Sequence, residues 1–230
     1  MKFFTGFRVR AALIKQQKGD IEGARRSYAE LYDNKVLLAS YLLPYSLLLI
    51  RAGEYEKAKQ VLLDAQKAPD LNLERKQQLY VNYGVALWKL GDEEGAIRNL
   101  EAAHHKYPSG IVYQTLGYLY IEQGNKEKAL SYNEEALEYD HEDPIVLDNM
   151  GQTFYRLLND KERALEYFKK AHKISSTKID TLYFLAKYDI ENGNNKAALE
   201  KIEIALAGNF SPLNYATEEK LNHLKAQIKE

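Results

Sequence analysis

Cysteine is absent from this 230-residue chain, and tryptophan occurs once. Without thiols there is no disulfide scaffold, thiolate metal site, cysteine nucleophile or sulfur-borne lipid. Five prolines and thirteen glycines are too few for a collagen-like or proline-rich segment. No sign of charge dominates either: 32 Lys and Arg against 33 Asp and Glu leave a net charge of −1. A nucleic-acid binder needs a basic excess or stripe to neutralise phosphate. The chain has neither, so nucleic acid is not an expected partner. Long apolar runs are missing too. No uncharged stretch is longer than VLLASYLLPYSLLLI between Lys35 and Arg51, and it falls short of the roughly 20 residues that cross a bilayer. It reads as a buried helix, and direct membrane insertion is not expected. Arg8 and Arg10 interrupt any signal-peptide core. The expected location is the cytoplasm, with a membrane-associated or exported setting left open if an anchor precedes this sequence.

Signatures of catalysis are equally scarce. The five histidines, His104, His105, His141, His172 and His223, form no HExxH pair. His104 and His172 sit late in their helices, where a cation suits the negative end, so the structural reading outweighs metal binding. There is no GxGxxG, Walker loop or GxSxG. No catalytic residue, metal or cofactor is expected, and the chain is read as a non-enzyme.

What is present is a globular balance of 45% hydrophobic and 28% charged residues, and a repeat. Gly19, Gly53, Gly91 and Gly124 follow one another at 34, 38 and 33 residues, and Gly193 comes 69 later. The position between the last two falls at Leu158-Asn159, where Asn also tolerates a left-handed backbone. Each is followed by a helix N-cap candidate: Asp20, Glu54, Asp92, Asn125, Asp160 and Asn194, with Glu54 the weakest. Four residues on comes an alanine: Ala24, Ala58, Ala96, Ala129, Ala164 or Ala198. Preceding helices carry their own small residue, Ala12, Ser46, Gly84, Gly117, Gly151 or Ala186, flanked by large apolar ones. Small residues facing large ones let two antiparallel helices interlock closely.

This combination resembles the tetratricopeptide repeat family, most clearly in YQTLGYLYIEQGNKEKALSYNEEAL, residues 113–137. The resemblance implies an all-α fold, a right-handed superhelical solenoid of antiparallel helix pairs. Six pairs are expected at about 5–38, 39–76, 77–109, 110–143, 144–178 and 179–212, together making up 1–212. A capping helix is expected in 213–230, near 217–229. Lys15 and Asp189 stand where inner units have large apolar residues, as suits the ends of an array. Pro44 in the second unit is expected near a first helical turn. Asn133, in place of a bulky residue, has no explanation in the sequence. The fifth unit holds one extra residue between Phe154 and Asn159. Absorption by the turn is the favoured expectation, and a π-bulge that re-aims Tyr155 and Arg156 the alternative.

In the resembled family the first helices line a concave groove that holds a partner. By position, that face comprises Leu43, Leu47 and Arg51, then Val81, Val85, Trp88 and Lys89, then Gln114, Tyr118 and Glu122. It continues with Gln152, Tyr155 and Arg156 and ends at Tyr183, with Asp148, Asp180 and Lys187 alongside. The expected function is a protein-interaction scaffold that takes a peptide or helix of another protein in this groove. The alternatives are a self-associating structural module, hence a homo-oligomer, or the soluble part of a membrane-associated assembly factor. A clamp for chaperone tails is disfavoured, because Leu43, Leu47, Ile111 and Thr115 stand where its Lys, Asn and Arg residues belong and only Asn82 fits.

Overall fold

The computed structural model describes residues 2–228, with side chains from residue 5 onward. Residue 1 of the expected array and residues 229 and 230 of the expected cap lie outside the described residues. Among those described there are thirteen α-helices, one π-helical turn and no strand. The expected all-α array of helix pairs is the observed fold. The chain forms two compact units, Met1–Val112 and Tyr113–Glu230.

The first unit holds α1 (Lys2–Gln17), α2 (Ile21–Asp33), α3 (Ala39–Arg51), α4 (Tyr55–Ala65), α5 (Leu73–Lys89) and α6 (Glu93–Lys106). The second begins within the first turn of α7 (Gly110–Glu122). It continues through α8 (Lys126–Tyr139), α9 (Pro144–Gln152), the π-helical turn Thr153–Leu157, α10 (Lys161–Ile174), α11 (Ile179–Glu191), α12 (Asn195–Leu206) and α13 (Glu218–Ala226).

Each pair turns where the repeat glycine stands. All five glycines have positive φ, and Asn159, at +54°, takes the same role where the fifth pair lacks one. A Cβ at Gly124 would meet open space, so the demand there is backbone conformation, with φ at +75°. The next helix is then capped in a regular way. Asp20, Asp92, Asn125 and Asp160 each accept from the backbone N–H three residues on. Glu54 and Asn194 make no side-chain cap bond. Beyond the cap, Ala24, Ala58, Ala96, Ala129, Ala164 and Ala198 have no exposed surface.

Asn133 is explained by its opposite number. A Cβ at Gly117 would lie 2.2 Å from Asn133 Oδ1. The missing side chain makes room for the amide, whose Nδ2 donates to the carbonyls of Ala129 (2.8 Å) and Gly117 (3.3 Å). In the fifth pair the same space over Gly151 is filled by the Phe168 ring, 2.5 Å from where a Cβ would stand. At the array's last pair, Asp189 is bonded by Lys201 at 2.6 Å, so its polar side chain is partnered within the pair.

Two expectations are corrected. Pro44 is the sixth residue of α3, past the first turn, and the helix runs through it. The extra residue of the fifth unit is not absorbed by the turn; it forms the π-helical turn Thr153–Leu157. There the Leu158 N–H bonds back to the Thr153 carbonyl at 3.1 Å, and the Thr153 hydroxyl donates to the Asn149 carbonyl at 2.8 Å. Widening the helix by one residue keeps Phe154 in the core while Asn159 still reaches the left-handed position.

The start of α3 shows a device that no local pattern reveals. Its N-cap, Leu38, has no acceptor side chain. Asp70, from the linker before α5, accepts instead from the N–H groups of Ala39 (2.6 Å) and Ser40 (3.1 Å). Arg75 in turn holds Asp70 at 3.1 Å.

Gly151→Ala should overpack Phe168 and cost about 1–3 kcal/mol, read as a lower denaturant midpoint. Gly124→Val, which meets no neighbour, should cost about 1–2 kcal/mol through backbone strain alone. An unchanged midpoint for either variant would mean that the pairing described above is wrong.

Candidate functional site

In the first unit, the expected groove residues divide by depth. Leu43, Val81 and Val85 are buried, Leu47, Trp88 and Lys89 are half-buried, and Arg51 is exposed. The three buried residues pack within the unit, and the others offer surface. Asn82, the one residue that fits a chaperone-tail clamp, is committed to packing. Its Nδ2 donates to Ser46 Oγ at 3.0 Å and to the Leu43 carbonyl at 3.3 Å, and its Oδ1 accepts from Gln78.

The second unit carries a bonded chain of polar groups across its first helices. Asp148 on α9, 5% exposed, accepts from the Thr181 hydroxyl of α11 at 2.6 Å and from Gln152 Nε2 at 2.7 Å. Gln152, with no exposed surface, accepts through Oε1 from Arg156 Nη1 at 2.9 Å. The same nitrogen donates to Glu122 Oε1 of α7 at 2.6 Å. Gln152 therefore acts on this face by positioning Arg156, which the π-helical turn carries. On α7, Tyr118 is buried, and Gln114 donates to Asp143 at 2.5 Å.

Beside this chain lies an aromatic cluster. Phe168 of α10 stacks on Phe184 of α11 with centroids 4.7 Å apart. Tyr155 meets Phe184 at 5.0 Å and Tyr188 edge-on at 5.8 Å. The Lys187 ammonium stands 4.8 Å from the Tyr155 ring and 5.8 Å from that of Tyr183. Such cation–π contacts hold a charge in place while leaving one side open. Of the expected residues, Glu122, Gln152, Tyr155, Arg156 and Tyr183 are thus brought into one neighbourhood with Asp148, Asp180 and Lys187.

The sequence reading missed three contributors: Thr181, Phe184 and Tyr215. Tyr215 lies outside the helix pairs, in the irregular segment between α12 and α13. Its N–H and that of Ala216 bond to the Asp180 carboxylate at 3.2 and 2.8 Å. Its ring stacks on Phe184 at 5.4 Å, with the Arg156 guanidinium 3.9 Å from the ring centroid. The available signal was an aromatic residue in a proline-containing stretch, SPLNY, that has no helical period.

Between this segment and the helices is a cavity of about 230 Å³, lined by Gln114, Tyr118, Asp148, Lys178, Asp180 and Asn214 among others. Burial, and then the charge of Asp180, push the Asp148 carboxyl up to about 7. Burial also raises Asp180, against the N–H groups of Ala216 and Tyr215 and the Asn214 side chain, which favour its charged form. Lys178 is lowered by burial, opposed by the attraction of Asp148, Asp143 and Asp180.

A raised carboxyl holds its proton more tightly folded than unfolded. Its contribution to stability is complete below the unfolded value and is lost as pH rises through the folded one. Asp148 should therefore cost stability between about pH 4 and pH 7, by roughly 2–4 kcal/mol. Asp148→Asn stays neutral and gives up one accepted bond at every pH. Melting curves from pH 4 to 8 should fall less steeply for the variant; parallel curves would mean that Asp148 carries no such shift.

Residues 77–103, 111–143 and 146–178 match the tetratricopeptide repeat family. Protein CTR9 homolog of Arabidopsis thaliana is 28% identical over 160 residues, which is 67% of this chain and 14% of that protein. The chain thus spans a small part of that relative. Photosystem I assembly protein Ycf3 of Prochlorococcus marinus is 27% identical over 147 residues, 58% of this chain and 82% of that one. A tetratricopeptide repeat protein of Parabacteroides merdae, solved by crystallography, superposes with a TM-score of 0.77 at 14% identity. That alignment covers 96% of this chain and 83% of the other, and it is a likeness of fold. Three helix pairs therefore match the tetratricopeptide repeat family in sequence, and nearly the whole length matches a tetratricopeptide repeat protein in architecture.

Proposed function

We propose that this protein is a non-enzymatic interaction scaffold, which binds a segment of a partner protein on the face formed by its first helices. The observation that carries the reading is the way Arg156, Lys187, Tyr155 and Tyr183 are held. Each is half-buried and fixed by neighbours, yet none is fully enclosed. Side chains already ordered lose little entropy when a ligand arrives, so binding costs less. Aromatic and arginine groups are also the types that dominate interface energetics. Half-buried Trp88 offers the same chemistry in the first unit.

The relative from Prochlorococcus marinus is by its name an assembly protein, and holding protein components together is what such a face would do. Among the described residues no helix is long and apolar enough to cross a membrane.

A second reading, self-association, has one observation behind it. Phe7 and Ile14 on α1, seven residues apart and so on one helical face, are 73% and 39% exposed. Light scattering across a concentration series separates the two: a constant mass of 26.5 kDa removes the second.

Quantitative affinity purification with the wild type, Trp88→Ala and Lys187→Glu tests the first. The expected result is a partner set retained by the wild type and reduced at least about tenfold in each variant. Equal recovery by all three, with unchanged melting temperatures, would place binding elsewhere on the molecule.

A further inference from the structure

The face of the second unit is not empty in the folded chain. Between the end of α12 at Leu206 and the start of α13 at Glu218, the backbone has no regular structure. This segment comes back over α11 and the π-helical turn. We infer that residues 211–215 are a cis-bound ligand of the groove, and that a partner segment of the same chemistry, a tight turn leading into a tyrosine, displaces them. The inference rests on the groove reading above and adds to it what the groove recognises and what occupies it beforehand.

Three observations support it. The first is the form of the contact. Asp180 holds the segment through two successive backbone N–H groups, of Tyr215 and Ala216, a grip available to any chain without proline there. Selectivity then rests on the ring. It stacks on Phe184 at 5.4 Å with the planes 15° apart, meets Tyr183 edge-on at 5.9 Å, and has the Arg156 guanidinium over it at 3.9 Å. An aromatic side chain with a cation against its face is a typical anchoring arrangement.

The second is incomplete filling. The cavity of about 230 Å³ remains between Ser211, Leu213 and Asn214 on one side and the first helices on the other. An occupant with a larger side chain at the Leu213 or Asn214 position would bury surface that the chain's own segment leaves open.

The third is that the C-terminal side of the segment is anchored independently. Ala216, Leu221 and Leu224 are at most 4% exposed and pack with Ile179, Leu182, Ile202 and Ala205 of the last pair. The segment can therefore lift as far as Ala216 while α13 stays docked. The Tyr215 ring and N–H, the Asn214 side chain at Asp180 and the turn at Pro212 need to leave. Lys220 of α13 touches both the ring, at 3.4 Å from its centroid, and the Tyr215 carbonyl, at 2.9 Å, and it must release both.

A cis ligand tethered at short range competes at high effective concentration and lowers the apparent affinity for anything added in trans. The test uses the full chain and a fluorescent peptide of residues 209–217, NFSPLNYAT. Fluorescence anisotropy should show the peptide binding Tyr215→Ala at least about tenfold more tightly than the wild type. A peptide with alanine in place of its tyrosine should bind neither. Equal binding of the tyrosine peptide to both proteins, or equal binding of the two peptides, overturns the inference. A wild-type measurement covers the event that the variant folds poorly. Amide hydrogen exchange should be at least about a hundredfold faster at Tyr215 than at Leu221 and Leu224, and equal protection at the three sites overturns the inference. If Trp88→Ala and Lys187→Glu lose the purified partners while Tyr215→Ala gains nothing, the groove stands and its cis ligand falls. If none of the three variants changes anything, the groove reading falls as well.

Discussion

The close approach of paired helices is the constraint on which everything else depends. It is set by small buried residues, an alanine in each second helix and an alanine, serine or glycine in each first helix. Any larger group there would push the backbones apart. Once the spacing is fixed, what faces the small residue must be chosen to fit. Leu100 comes closest to Gly84, the Asn133 amide to Gly117, and the Phe168 ring to Gly151. The position of Phe168 then fixes Phe184, and Phe184 supports Tyr215. A packing requirement in the core of the second unit thus places Tyr215 on an aromatic platform.

The polar side of that platform is built in the same manner, from inside outward. Thr181 and Gln152 satisfy the buried Asp148 carboxyl, Gln152 passes its remaining oxygen to Arg156, and Arg156 reaches Glu122 and the Tyr215 ring. A buried polar group left without partners is costly, so the chain of bonds is constrained at each step. The π-helical turn carries Arg156 and Tyr155, and an inserted residue has become part of the geometry of this polar chain instead of loop slack.

How far this was legible from sequence varies with the range of the interaction. Turn glycines, N-caps and buried alanines act within a few residues, and their period exposes them. Asn159 was legible as a glycine substitute for the same reason: few other side chains accept a left-handed backbone. Asn133 was not, because its cause is the absence of a side chain sixteen residues away at Gly117. Asp70, which caps α3 from 31 residues downstream, was equally out of reach. The extra residue near Phe154 was visible as a count, but a count does not say whether a helix widens or a loop lengthens.

By itself, then, the sequence determined the pairing of helices and the small-residue contacts within each pair, since both follow from periodic local chemistry. Only the tertiary structure decided which of the expected groove residues are buried and which offer surface. It alone placed Tyr215, from a segment with no period, against Phe184 and Arg156. The physical reason is that burial and non-local bonding depend on what chain geometry brings together across thirty or more residues, and no repeating pattern along the chain records it.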